Sequence, residues 1–155
     1  AIAIAMPNSN ITLLDSSNKK TTFLKVVAKE IGLSSHVTIL TKRAELAGKD
    51  PIFRGNFDYA IARAVASANV VAEYLVPFIN SKGQAIIYKG NWSETEQRIL
   101  KKALTKLHAE IKGTHSFLLP DTRGIRNIIR ISSNKKCPNQ YPRSIGKPKK
   151  QPLGY

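Results

Sequence analysis

The apolar positions follow two rhythms, and the chain switches between them repeatedly. Ile11-Thr12-Leu13-Leu14 is a β-type run that ends at Asp15. The polar cluster Ser16-Ser17-Asn18 after it suits a turn and a helix cap. From Lys19 to Ile31, the residues Phe23, Leu24, Val27 and Ile31 fall at helical spacing, and Gly32 stops the helix. Val37-Thr38-Ile39-Leu40 predicts the next strand. Residues 11–40 therefore read as a β-α-β unit, which ordinarily takes about 30 residues.

The alternation continues downstream. Pro51 and Gly55 mark a loop, and residues 57–61 predict a third strand with Ala62-Arg63-Ala64 at its carboxyl end. Residues 68–79 predict a helix carrying Val71, Tyr74, Leu75 and Phe78 on one face, weakened at its last turn by Pro77. Lys82-Gly83 turns into a fourth strand over 84–88, which runs into Lys89-Gly90. Ser93-Glu94-Thr95-Glu96 is a capping box opening a helix to about Leu107, with Ile99, Leu100, Ala103, Leu104 and Leu107 facing inward. Residues 114–119 and 127–131 then predict two strands joined by Pro120-Asp121-Thr122-Arg123-Gly124. A link that short makes them antiparallel.

Alternating strands and helices predict an α/β, doubly wound, mainly parallel sheet, closed at one edge by a C-terminal antiparallel pair. We expect an α/β domain over 1–131, incomplete at its N-terminus, and a basic Pro/Lys-rich tail over 132–155. The chain starts on Ala1-Ile2-Ala3-Ile4-Ala5 with no basic residue before it, which does not match a signal peptide. It has no polar lead-in, and we read this as a point inside a longer protein.

Charge sharpens the picture. Lys+Arg is 25 against Asp+Glu 10, a formal net charge of +15 over 155 residues. Such an excess predicts an anionic partner, with nucleic acid first and an anionic membrane surface second. No apolar run approaches the roughly 20 residues that span a bilayer. A lone cysteine, Cys137, excludes an intrachain disulfide framework and suits a reducing cytoplasm. With only His36, His108 and His115 beside it, a metal site is not expected. We expect a monomer.

In doubly wound sheets, ligands bind beyond the carboxyl ends of the strands. That rule selects Asp15-Ser16-Ser17-Asn18, Arg43-Ala44-Glu45, Ala62-Arg63-Ala64 and Lys89-Gly90. Asp15 could accept bonds from a ribose diol, or it could be a plain helix cap. Glu45 could meet an adenine rim, or it could be a solvated loop charge. Arg63 interrupts a stretch of small residues and needs a ligand or an ion pair, with Asp58 as one candidate. Lys89 could contact a phosphate or base, or it could be an ordinary strand-end lysine. Trp92 could stack on a base or simply pack. No glycine precedes Gly32, so the glycine turn that follows the first strand of a nucleotide-binding domain is not in this sequence. The strand ending at Asp15 is then the second strand of such a domain.

Six clusters in order resemble one family. They are Leu13-Leu14-Asp15-Ser16, Lys19-Lys20 with Phe23-Leu24, Arg43-Ala44-Glu45, Ala62-Arg63-Ala64-Val65-Ala66, Lys89-Gly90 and Arg126-Asn127. Together with the end Tyr141-Pro142-Arg143-Ser144-Ile145-Gly146-Lys147-Pro148, they resemble the small-subunit ribosomal RNA guanine-N7 methyltransferases, the glucose-inhibited division protein B family. The resemblance implies a class I, Rossmann-like fold and S-adenosyl-L-methionine as methyl donor. It implies that Asp15, Ser16, Ser17, Asn18, Ala44, Glu45 and Arg63 border the cofactor, and that Arg63 and Lys89 act at the reacting centre. It implies 16S ribosomal RNA, or the small ribosomal subunit, as substrate in the cytoplasm. Lys89, Arg123, Arg126, Arg143, Lys147, Lys149 and Lys150 are then the expected RNA contacts. Many members carry Ser where Ala62 stands here. Two other readings stay open: a non-catalytic basic RNA-binding protein, and a nicotinamide-dependent oxidoreductase on a similar sheet.

Overall fold

The computed structural model describes residues 1–121 and 123–155. Their contacts divide the chain into two compact units, Ala1–Ala44 and Glu45–Tyr155. The second unit thus takes in residues 132–155, which the sequence suggested as a separate tail.

The first unit is the predicted β-α-β. After a short helix α1 (Ile2–Ala5) come strand β1 (Ile11–Asp15), helix α2 (Asn18–Glu30) and strand β2 (Val37–Thr41). β1 and β2 pair in parallel from Ile11↔Val37 to Asp15↔Thr41, as a helical crossover requires. α2 lies on both strands. It turns Thr21 and Ala28 into full burial and leaves Phe23 65% exposed, so the apolar spacing located the helix but not its covered face. The Thr21 hydroxyl meets the Thr41 hydroxyl at 2.7 Å and tethers the start of α2 to the end of β2.

The second unit contains helix α3, counted from Ala44 (Ala44–Ala47), strand β3 (Phe57–Arg63), helix α4 (Ala68–Leu75) and a 3-10 turn, Val76–Phe78. The turn begins next to Pro77, where the sequence weakened the helix. Strand β4 (Ile79–Lys89), helix α5 (Glu94–Leu107), strands β5 (Ala109–Leu118) and β6 (Ile125–Ser133) and helix α6 (Lys147–Lys150) follow. The sheet order is β3-β4-β6-β5. β3 and β4 run parallel, β5 and β6 run antiparallel as the predicted closing pair, and β4 and β6 also run antiparallel, a pairing the sequence did not suggest. Thr122, in the loop between the last two strands, lies outside the described residues.

β4 starts earlier than the sequence suggested, because residues 80–83 form an irregularity inside it. The register passes from Phe57↔Ile79 to Tyr59↔Gln84. Gly83 makes this possible: a Cβ there would lie 2.7 Å from the Phe57 carbonyl oxygen. The core lies under α4 and α5. Leu100, Ala103, Leu104 and Leu107 of α5 are buried, as are Ala85, Ile87, Ile129 and Ile131 of the sheet. Each large aliphatic side chain so buried contributes about 1.5–3 kcal/mol. The other face of this sheet leaves Tyr59, Ile61 and Tyr88 exposed.

Candidate functional site

In the first unit the cluster at the end of β1 is built around Asp15. Its Oδ1 accepts the Ser17 backbone N–H at 2.8 Å, closing a turn into α2. Ser17 is the N-cap, yet its hydroxyl makes no capping bond. Asp15 therefore shapes the turn from two residues upstream and is not itself the cap. The Ser17 N–H, followed by the ammonium of Lys20 3.5 Å from Oδ2, holds the Asp15 carboxyl below its usual range despite partial desolvation. Ser16 and Asn18 are exposed and Ala44 is half-buried.

In the second unit the predicted residues have varied fates. Glu45 is not a solvated loop charge: it is only 4% exposed, and its Oε1 accepts the Gly146 N–H at 3.0 Å. Arg63 ends β3 and points into solvent with no partner among the described residues. Asp58 does not pair with it and instead accepts from Asn80 at 2.8 Å. The next residue, Ala64, has φ +54, a left-handed conformation unusual for alanine. The free guanidinium thus stands beside a strained turn at a strand end.

Lys89 donates to Glu96 at 2.7 Å. Glu96 is the third residue of α5, and its own N–H donates to the Ser93 hydroxyl at 3.2 Å. Only that half of the capping box forms among the described residues, because the glutamate carboxylate holds Lys89. Asn127, which lies opposite Lys89 in the sheet, completes the arrangement. It is buried, its amide donates to the Gly90 carbonyl, and its Oδ1 accepts from the Ser116 hydroxyl. Asn127 and Ser116 were not singled out for this role, although one amide in an otherwise isoleucine-rich strand is a visible signal. Trp92 is half-buried.

The expected RNA contacts separate in the same way. Lys147, Lys149 and Lys150 on α6 are exposed and unpaired among the described residues. Arg123 is exposed, 3.7 Å from the equally exposed Asp121. Arg126 is half-buried and donates to the Ile125 carbonyl. Arg143 departs from the expectation of a free phosphate contact. Its backbone N–H, Nε and Nη2 all donate to the carboxylate of Glu73, which has no exposure, at 2.7–2.9 Å. Those bonds raise the Arg143 pKa above its ordinary value. Burial pushes the thiol of Cys137 up to about 11, so this cysteine stays protonated at neutral pH. Among the described residues no cluster of three His, Cys, Asp or Glu is placed to hold a metal, and no helix is long and apolar enough to cross a membrane.

The fold defines the class first. It is Rossmann-like, similar to a Mycoplasma capricolum TrmK structure described as a complex with the cofactor product S-adenosyl-homocysteine. That match has a TM-score of 0.62 at 16% identity and covers 86% of this chain and 56% of the other. A Streptococcus agalactiae protein of the NADB-Rossmann superfamily is similar at a TM-score of 0.60 and 14% identity, covering 89% of this chain and 58% of that one. Within the class, the chain belongs to the GidB family, rRNA small subunit methyltransferase G, whose model matches residues 1–127. A ribosomal RNA small subunit methyltransferase G of Prochlorococcus marinus (strain NATL2A) is 79% identical over 155 residues, all of this chain. The chain spans 62% of the length of that relative.

Proposed function

We propose that this chain is part of an enzyme that transfers a methyl group from S-adenosyl-L-methionine to N7 of a guanine in 16S ribosomal RNA. The observation that carries this reading is the family match over 1–127, joined to 79% identity with a relative of that name across the whole chain. The family resemblance assigns these strand-end residues to the adenosine and amino-acid ends of the cofactor. Asp15 is a charged acceptor for ribose hydroxyls, flanked by Ser16, Ser17 and Asn18. Ala44 and Glu45 belong to the adenine side. Arg63, without a partner among the described residues, is a cation for the carboxylate end.

When bound, the cofactor supplies an electrophilic methyl group. Guanine N7 has an in-plane lone pair and no proton to lose, so the reaction needs no general base. This agrees with the absence of a histidine or reactive cysteine from the cluster. The work left to the protein is positioning and electrostatics. Arg63 orients charge at the strand end. Lys89, held by Glu96 at 2.7 Å, offers its remaining N–H donors to the guanine side. Lys147, Lys149 and Lys150 contact phosphates, adding affinity but little sequence information. A cytoplasmic monomer acting on 16S RNA or the small ribosomal subunit completes the reading.

The test is calorimetric titration with S-adenosylhomocysteine, together with label transfer to unmethylated small subunits, for this chain beside a full-length relative. Binding and N7 methylation by the relative support the reading, and the same by the chain shows that these residues suffice. Failure of both proteins would leave a basic RNA-binding protein as the better account.

A further inference from the structure

The basic tail expected over 132–155 includes residues 137–154, whose backbone is held by side chains of the second unit. Arg54 donates to four carbonyls: Gly48 at 2.8 Å, Tyr141 and Cys137 at 2.7 Å each, and Pro138 at 3.0 Å. Glu73 holds Arg143. Asn69, also buried, donates to the Leu153 carbonyl at 2.6 Å. Gly154 lies so close to α5 that a Cβ would meet the Ile99 carbonyl oxygen.

Two links end on the turn after β2. One Arg54 nitrogen bonds both Gly48 and Tyr141, and Glu45 takes the Gly146 N–H. The turn and the segment thereby face each other across a cleft of about 420 Å³ lined by Glu45, Leu46, Lys49, Arg143, Ser144 and Ile145. Lys49, a cation of that cleft, has no partner among the described residues.

We propose that residues 137–154 are a strap that holds the 45–48 turn in its ligand-ready position, with Arg54 and Arg143 as positioning residues for cofactor binding. Four backbone acceptors on one guanidinium are more than anchoring a basic tail requires. Four carbonyls on one guanidinium fix both the strap and the turn, and only the planar fork of arginine can reach them together. The ligand half of the proposal rests on the methyltransferase reading above, and the strap half does not.

The experiment is charge-neutral. Arg54→Lys keeps the cation and its contribution to RNA affinity but loses the fork. Hydrogen exchange is followed at the Lys49 and Asp50 amides, which bond to Leu46 and Ala47 within the turn. The expected result is exchange faster by about tenfold or more at these amides, with the α5 core amides unchanged. S-adenosylhomocysteine affinity falls alongside it, while RNA affinity stays within about twofold. Unchanged exchange at Lys49 and Asp50 overturns the strap. Faster exchange with unchanged S-adenosylhomocysteine affinity keeps the strap but overturns its role for the cofactor. If wild type binds no S-adenosylhomocysteine while the full-length relative does, the strap's role for the cofactor is overturned for this chain, and exchange alone still decides the strap. If Arg54→Lys does not fold, the pair Glu73→Leu with Arg143→Met removes the anchor at Arg143 while keeping most of the global stability, and the same amides read the local loosening.

Discussion

Arg143 and Glu73 show how a residue's environment overrides its type. Both are charged, and from sequence each would be placed in water. In the fold Glu73 has no exposure, and its two oxygens receive three donors from Arg143. Removing one partner of such a pair leaves an uncompensated buried charge, so Arg143→Met should cost about 3–5 kcal/mol in urea unfolding. Adding Glu73→Leu should recover most of that loss. A single variant as stable as wild type would show the pair to be incidental. Asp15 gives a pH-dependent case. Its folded pKa lies below the ordinary 3.8, so its contribution is complete above that value and disappears as the pH falls through the folded pKa. The stability gap between wild type and Asp15→Asn should therefore narrow in acid, and a gap that stays constant with pH would remove Asp15 from the account.

At the level of elements, periodicity located the six strands and the helices α2, α4 and α5, because burial of one face repeats at 2 or 3.6 residues, but not the four-residue helices. α5 is the clearest case, with its capping serine and its stripe of Leu100, Ala103, Leu104 and Leu107. Loss of the cap in Ser93→Ala should lower stability by about 1 kcal/mol, measured by thermal unfolding. A larger loss would mean that the Lys89–Glu96 pair at the same helix start depends on the cap. β4 was harder to read. Its first residues resemble a turn because Gly83 lets the strand run within 2.7 Å of the Phe57 carbonyl, a close approach no local pattern encodes. The covered side of α2 was equally hidden, since apolar spacing marks a stripe and not what packs on it.

For the whole chain, the net charge of +15 sets the physics of any anionic partner. Phosphate contacts release counterions, so affinity for 16S RNA should fall steeply with salt. Replacing Lys147, Lys149 and Lys150 together by Gln should reduce the slope of log K against log salt by about 2–3, as read by filter binding over a salt series. An unchanged slope would place the RNA contacts elsewhere. Arg143 does not belong in that set, because its guanidinium already has an anion.

The sequence by itself determined the α/β class, the order of elements, the parallel pairing and the closing antiparallel pair, and the strand-end clusters holding Asp15, Glu45, Arg63 and Lys89. These features follow from local periodicity, turn chemistry and the rules of chain connection, all of which operate over short stretches. Only the tertiary structure decided which charges are free. Arg63 has no partner among the described residues, whereas Arg143, Glu45 and Arg54 are bound to groups about 70 to 100 positions away. Pairings at that separation are chosen by the packed backbone, where each buried donor must find an acceptor. For that reason residues 132–155, read from sequence as a basic tail, are part of the second unit.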